Sequence, residues 1–270
     1  MTQPEKAALF KRLHAGPDLL ILPNAWDCAS ARVVEQAGFP AVATTSAGIA
    51  FSLGYPDGER IPQDEMLRVV ERIARSVGVP VTADLEAGYS DVAATARRLI
   101  EAGGVGLNLE DMRNGELIDI QKQVASIHAI RDVASGARIP LVLNARTDLY
   151  LENIGDPAHR FERACERLIA FKEAGADCLF IPGVSDLSLI RRFTAALQFP
   201  INILAGPQSP SFAELKNAGV ARVSLGSGLM RATMGFVRDL ARRINTSGDS
   251  RRVWDTAIPF AEANALFTTR

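Results

Sequence analysis

In this chain, carboxylates stand at the ends of short apolar, β-branched runs instead of in polar loops. Asp84 and Glu86 close one run; Asn108, Glu110 and Asp111 close the next; Asn144, Arg146 and Asp148 close a third. Two earlier runs are followed by Asn24 and Asp27, and by Thr45, Ser46, Gly48 and Asp57. Solvated loop acids are the plain alternative. That alternative fits poorly with Ala83-Asp84-Leu85-Glu86 and Leu107-Asn108-Leu109-Glu110, where apolar neighbours flank each carboxylate. Like charges gathered on one face repel unless a cation screens them. Hard oxygen donors with no His or Cys among them suit Mg²⁺, with Mn²⁺ as a substitute.

Arg146 is the one cation at a strand end amid these acids. Its planar fork matches a carboxylate or phosphonate, although an internal salt bridge to a neighbouring Asp is the other reading. Metal plus arginine suggests a small anionic substrate, chelated through a carbonyl or hydroxyl and clamped through an acid group. Other chemistries find no support. His14, His128 and His159 fall in helix-like segments, which disfavours a Ser–His triad or a His-ligated zinc. Lys6, Lys11, Lys122, Lys172 and Lys216 lie outside the apolar runs, which argues against a Schiff-base aldolase. Gly226-Ser227-Gly228 could cradle a phosphate, but a tight turn explains it equally well.

Eight apolar runs begin near residues 19, 41, 80, 105, 140, 178, 200 and 222. An Ala-Gly pair precedes four of them, as a helix-terminating glycine would, and a proline abuts the other four. Helical patterns lie between, for instance Met66, Val69, Ile73 and Val77 on one face, and a Ser90 cap before Val92, Ala96, Leu99 and Ile100. Eightfold strand–helix alternation with strands apolar on both faces predicts an α/β fold of the (β/α)8 TIM-barrel type, with an open doubly wound sheet as the alternative. Barrel active sites are built from C-terminal strand ends, where the acids stand. Thr246-Ser247-Gly248-Asp249 breaks the pattern, giving a catalytic barrel over 1–246 and a C-terminal helical extension over 247–270. That extension carries Trp254, Ile258, Phe260, Leu266 and Phe267, which must be buried on its own barrel or on a partner subunit.

At 270 residues and 47% hydrophobic, the chain can build a large core. Thirty Lys and Arg against 31 Asp and Glu leave a net charge of −1, with no basic face for nucleic acid. Three cysteines without a C-x-x-C write no disulfide framework and no zinc site. The uncharged stretch 36–56 holds three glycines and two prolines and so is a poor membrane span. With no signal-like segment visible, a cytoplasmic protein is expected.

Five strings in order carry a family resemblance: Asn24-Ala-Trp-Asp27; Thr44-Thr-Ser-Ala-Gly48 with Leu53-Gly-Tyr-Pro-Asp57; Asp84-Leu-Glu-Ala-Gly-Tyr89; Asn108-Leu-Glu-Asp111; and Ala145-Arg-Thr-Asp148. Together they resemble the isocitrate lyase/phosphoenolpyruvate mutase superfamily from about residue 5 to the tail. The resemblance implies Mg²⁺-dependent chemistry on small 2-oxo or 2-hydroxy (di)carboxylic acids through an enolate-like species, by C–C cleavage or decarboxylation. It implies that Asp84 holds the metal, directly or through water, with Glu86 and Glu110 binding its water shell. Ser46, Ala47 and Gly48 would take the substrate's carboxylate or oxo group. Asp57 would sit beside metal and substrate, and Arg146 would clamp the substrate, so Asp57, Glu110 and Arg146 are the expected catalytic set. It also implies a homodimer or homotetramer that exchanges its last helices. The family's lyase loop carries a Lys-Cys-Gly-His string whose cysteine is an acid/base; here that stretch reads Asp111-Met-Arg-Asn-Gly-Glu-Leu-Ile-Asp119, in which Arg113 and Asn114 could stand in partly for the mutase loop. P–C bond chemistry on phosphonopyruvate, or a non-catalytic 2-oxo acid binder, are therefore the alternatives.

Overall fold

The computed structural model describes residues 1–268 and has at its centre a nearly closed parallel barrel. Its staves are β1 (Leu20–Leu22, resumed as Asn24–Ala25), β2 (Val42–Thr44), β3 (Val81–Asp84), β4 (Gly106–Glu110), β5 (Val142–Arg146), β6 (Cys178–Phe180), β7 (Ile201–Leu204) and β8 (Arg222–Ser224). Each begins within two residues of the start expected from the Ala-Gly and proline signals. β1 explains how the ring closes. Pro23 has no N–H to give and interrupts the strand, so Leu20–Leu22 pairs with β8 while Asn24–Ala25 pairs with β2. The longest register runs between β4 and β5, from Gly106 opposite Val142 to Glu110 opposite Arg146.

The helices are α1 (Gln3–Ala15), α2 (Cys28–Gln36), α3 (Ser46–Ser52), α4 (Gln63–Ser76), α5 (Val92–Glu101), α6 (Ile120–Ala137), α7 (Arg160–Glu173), α8 (Leu187–Leu197), α9 (Phe212–Asn217), α10 (Gly228–Ser247) and α11 (Phe260–Thr268). Asp91 caps α5 by accepting from Ala94 N–H, one residue later than the expected Ser90. Thr2 and Glu5 form a capping box at α1, which lies under the N-terminal mouth of the barrel. There Phe10 packs so close to β4 that a Cβ at Gly106 would collide with it. The apolar core sits between the staves and the surrounding helices, with Leu99, Ile127, Leu168, Phe171 and Phe193 among its fully buried members. Inside the barrel the layer beneath the site is polar: Asn24, Thr44, Thr82, Asn108, Asn144, Asn202, Arg222 and Ser224 are all buried. Among the described residues, no helix is long and apolar enough to cross a membrane.

α10 departs from its seven counterparts. It has no buried residue, and Leu229, Met234, Phe236, Val237 and Ile244 are exposed. Met230, in its first turn, touches the α3 region near Gly48. α11 returns to α2, where Arg32 Nε donates to the Leu266 carbonyl at 2.6 Å, yet Trp254 and Phe260 remain 72% and 87% exposed. Unburied apolar surface in the last third of the chain therefore includes α10 as well as the extension expected over 247–270. The alternation pattern could not show this, because an amphipathic eighth helix reads the same whichever barrel it covers.

Candidate active site

The C-terminal ends of β2 to β5 surround a cavity of about 230 Å³ lined by Ser46, Asp57, Glu86, Glu110, Arg113 and Arg146, among others. Short turns put these side chains there. Thr45 caps α3 by accepting from Gly48 N–H at 3.3 Å, which turns the chain sharply after β2 and aims Ser46 at β3. Ser46 Oγ donates to Asp84 Oδ2 at 2.8 Å, and Asn108 Nδ2 donates to Asp84 Oδ1 at 3.4 Å. Asp84 N–H donates to Thr44 Oγ1 at 3.0 Å.

Beyond Asp84 the backbone is strained. Glu86, Tyr89, Glu59 and Asn114 all have φ between 53° and 57°, a left-handed conformation rare for non-glycine residues. Three of them, Glu59, Glu86 and Asn114, line the cavity, and each such conformation must be held by its surroundings. The Glu59 N–H donates to Glu86 Oε2, and Glu59 Oε1 accepts Tyr89 N–H at 2.6 Å. Glu86 Oε1 is buried with no hydrogen-bond partner, as is the Tyr89 hydroxyl.

The electrostatics are lopsided. Burial, then the charges of Asp84 and Asp57, push the Glu86 carboxyl up to about 8. Asp57 is raised by burial and by Asp84, despite help from Gly58 N–H and Arg146. Burial also raises Glu110, against the pull of Arg146. Burial by itself would disfavour charge on Arg146, but Glu110, Asp148 and Asp84 overcome it and hold the guanidinium protonated. Arg146 Nη1 lies 3.1 Å from Glu110 Oε2 and Nε donates to Asp148 Oδ1 at 2.7 Å, so the internal salt bridge exists and leaves Nη2 outside both pairs.

Such crowding, with an orphaned carboxylate oxygen at its centre, fits a hard divalent cation. Among the described residues no three His, Cys, Asp or Glu side chains converge as direct ligands. A cation here would keep much of its water, as Mg²⁺ commonly does.

Not every expected residue meets the cavity. Ser46, Asp57, Glu86, Glu110 and Arg146 line it, and Asp84 is bonded to Ser46 just beneath. Ala47 and Gly48 lie outside the lining, because the cap on α3 takes the Gly48 amide inward. Arg113 and Asn114 sit on a two-stranded hairpin, Met112–Arg113 with Glu116–Leu117, that overhangs the cavity. Arg113 braces that hairpin instead of standing free: Nη2 donates to Ala87 O at 2.8 Å and to Tyr89 O, and Nε lies 3.2 Å from Glu59 Oε2. Glu59 and Arg167 were not legible as site residues, whereas Asp111 was read as a strand-end acid. Asp111 is fully buried, and its Oδ2 accepts from Arg167 Nε of α7 at 2.5 Å.

The chain is similar to several known proteins. A family model described as phosphoenolpyruvate phosphomutase matches residues 10–245. A protein of known structure from Burkholderia cenocepacia J2315 is similar with TM-score 0.91 at 37% identity, over 99% of this chain and 98% of that one. The 2-methylisocitrate lyase of Escherichia coli (strain K12) is 29% identical over 245 residues, 84% of this chain and 80% of that protein. The structure of oxaloacetate acetylhydrolase in complex with its product oxalate has TM-score 0.86 at 25% identity, over 97% of this chain and 93% of that one.

Proposed function

This chain belongs to the phosphoenolpyruvate phosphomutase family, and from that premise we propose that it is a Mg²⁺-dependent lyase. Its substrate is a small 2-oxo or 2-hydroxy (di)carboxylic acid, cleaved at a C–C bond or decarboxylated through an enolate-like species. The observation that carries the reading is Glu86, whose buried, partnerless oxygen stands among Asp57, Asp84 and Glu110. An acid cluster of that kind is stable only with a cation or with protons. Asp84 would hold the ion, with Glu86 and Glu110 around its water shell. A bound Mg²⁺ would polarise the substrate oxygen and neutralise the charge left on it after bond breaking.

The chain's own residues supply the rest. Arg146, fixed by Glu110 and Asp148, presents Nη2 to the substrate's acid group. Ser46 holds the Asp84 carboxylate in place through its hydroxyl. Asp57, whose carboxyl is raised, is suited to carry a proton to or from the reacting carbon. The hairpin offers no Cys, His or Lys for that task. A cavity of about 230 Å³ admits a small acid and little more.

P–C chemistry on phosphonopyruvate is a second reading, favoured by the same lack of a proton donor on the hairpin. The unburied faces of α10 and α11 support a homodimer or homotetramer with exchanged C-terminal helices. Cys28, Cys165 and Cys178 are all unpaired, in keeping with a cytoplasmic enzyme. The test is a panel of 2-oxo and 2-hydroxy acids, with phosphonopyruvate included, assayed with Mg²⁺ and with chelator for release of pyruvate or another 2-oxo acid. Chelator-sensitive turnover of a hydroxy or oxo acid supports the lyase, and turnover of phosphonopyruvate supports the second reading. Binding without turnover of any acid leaves a non-catalytic binder.

A further inference from the structure

Arg167 belongs to α7, outside the barrel, yet its guanidinium reaches through to the roots of the hairpin above the cavity. Nε donates to Asp111 Oδ2 at 2.5 Å and Nη2 donates to the Ile118 carbonyl at 2.6 Å. Those two residues flank the hairpin on either side, and Ile118 N–H donates to the Asp111 carbonyl at 2.8 Å. One planar group thus joins the two roots a second time. The guanidinium also lies over the Phe171 ring, 5.6 Å from its centre, so its plane is fixed.

The contacts continue inward. Asp111 Oδ1 accepts Asp148 N–H at 3.0 Å, and Asp148 Oδ1 accepts from Arg146 Nε at 2.7 Å. An unbroken path therefore runs from α7 through two buried aspartates to Arg146. Charge neutralisation of Asp111 alone would need one contact, and lysine could make it. The second prong, on an uncharged carbonyl of the hairpin root, needs the fork of arginine.

We infer that Arg167 is a positioning residue that holds the hairpin and the Arg146 side chain in register as one unit. Its effect on ligand rests on the proposed role of Arg146; its hold on the hairpin does not. The experiment compares wild type with Arg167→Lys, which keeps the charge beside Asp111 and loses the fork. Amide exchange is followed at Ile118 and Asp148, with Ile203 of β7 as reference, and binding of oxalate in Mg²⁺ is measured by calorimetry. The expected result is exchange faster by about tenfold or more at Ile118 and Asp148, unchanged exchange at Ile203, and oxalate binding weaker by about tenfold.

Unchanged exchange at Ile118 and Asp148, or equal loss at all three amides, overturns the inference. Wild-type protein that binds no oxalate removes the proposed role of Arg146, while the two amides still decide that of Arg167. Should Arg167→Lys fail to fold, the pair Asp111→Asn with Arg167→Met leaves no lone buried charge and keeps an acceptor for Asp148 N–H. In that pair, faster exchange at Ile118 with Ile203 unchanged supports the inference, and any other pattern overturns it.

Discussion

Glu110 and Arg146 face each other in the register of β4 and β5, and Arg146 Nη1 lies 3.1 Å from Glu110 Oε2. Asp148, two residues along from the arginine, takes its Nε. The cation at the base of the cavity is therefore held by two carboxylates before any ligand arrives. Such prior fixing lowers the ordering cost of binding an acid, because the guanidinium has few rotamers left to lose.

Arg146→Lys should fold and bind substrate poorly. Lysine retains a point charge for Glu110 but cannot serve Asp148 and a ligand as well. We expect KM to rise by about tenfold or more, the equivalent of one charged hydrogen bond, with a smaller change in Tm. Arg146→Met should differ, because it strands two buried carboxylates and should destabilise the fold by about 3–5 kcal/mol. Steady-state kinetics and thermal melts separate the two effects, and an unchanged KM in Arg146→Lys assigns the arginine to the fold alone.

Asp84→Ala should abolish Mg²⁺-dependent activity without unfolding the protein. Its bonds to Ser46 and Asn108 are worth about 1–2 kcal/mol together, and its removal also relieves repulsion on Asp57 and Glu86. Activity or Mg²⁺ affinity should fall by about 100-fold or more, while Tm stays within a few degrees. Normal turnover in this variant, or full wild-type activity in chelator, would remove the ion from the mechanism.

Strand positions and most site residues were legible for a local reason. Glycine after alanine and proline before a β-branched run are backbone signals that act at their own position. A carboxylate between apolar neighbours, such as Asp84 or Glu110, is likewise conspicuous in one dimension. Arg167 is not, because it occupies one turn of an ordinary amphipathic helix and its partners Asp111 and Ile118 are 56 and 49 residues away. Glu59 escaped notice because its work is done partly by its backbone N–H, in a left-handed conformation that the sequence Gly58-Glu59 does not announce. The inward capping of Gly48 was hidden in the same way, since Thr45 looks like a ligand-binding residue until α3 is seen to start beside it.

The stability of the metal-free protein should fall as pH rises from about 5 to 8. Glu86 titrates near 4.5 when exposed and at about 8 when folded, chiefly through burial and then through Asp84 and Asp57. Between those values the folded state binds more protons than the unfolded one, so stability decreases with pH. Its contribution is complete below about 4.5 and gone above about 8. Thermal melts in chelator should show this slope, Glu86→Gln should flatten it, and Mg²⁺ should reduce it by screening the carboxylates. A flat profile for wild type in chelator would mean that the acids find another counter-charge.

The final prediction concerns α10 and α11. Phe236, Val237 and Met234 on α10, with Trp254, Phe260 and Phe267 beyond it, are all exposed in the single chain. A large aromatic carries about 150–250 Å² of surface, and each Å² left in water forfeits about 25 cal/mol, so these residues together are worth several kcal/mol or more if covered. α10 has no buried residue in its own subunit, and Arg32 bonds the Leu266 carbonyl of α11. A second copy offering the same surface would cover both helices reciprocally, which closes a two-fold interface. Full-length protein should therefore sediment as a dimer or tetramer at micromolar concentration. Deleting residues 247–270 should give a smaller or aggregating species, and Phe236→Glu with Val237→Glu should do so more completely, because the exposed apolar surface includes α10. The barrel in those variants should keep its far-ultraviolet circular dichroism. A full-length chain that runs as a stable monomer would overturn the assembly, leaving α10 as an exposed helix with its apolar face in water.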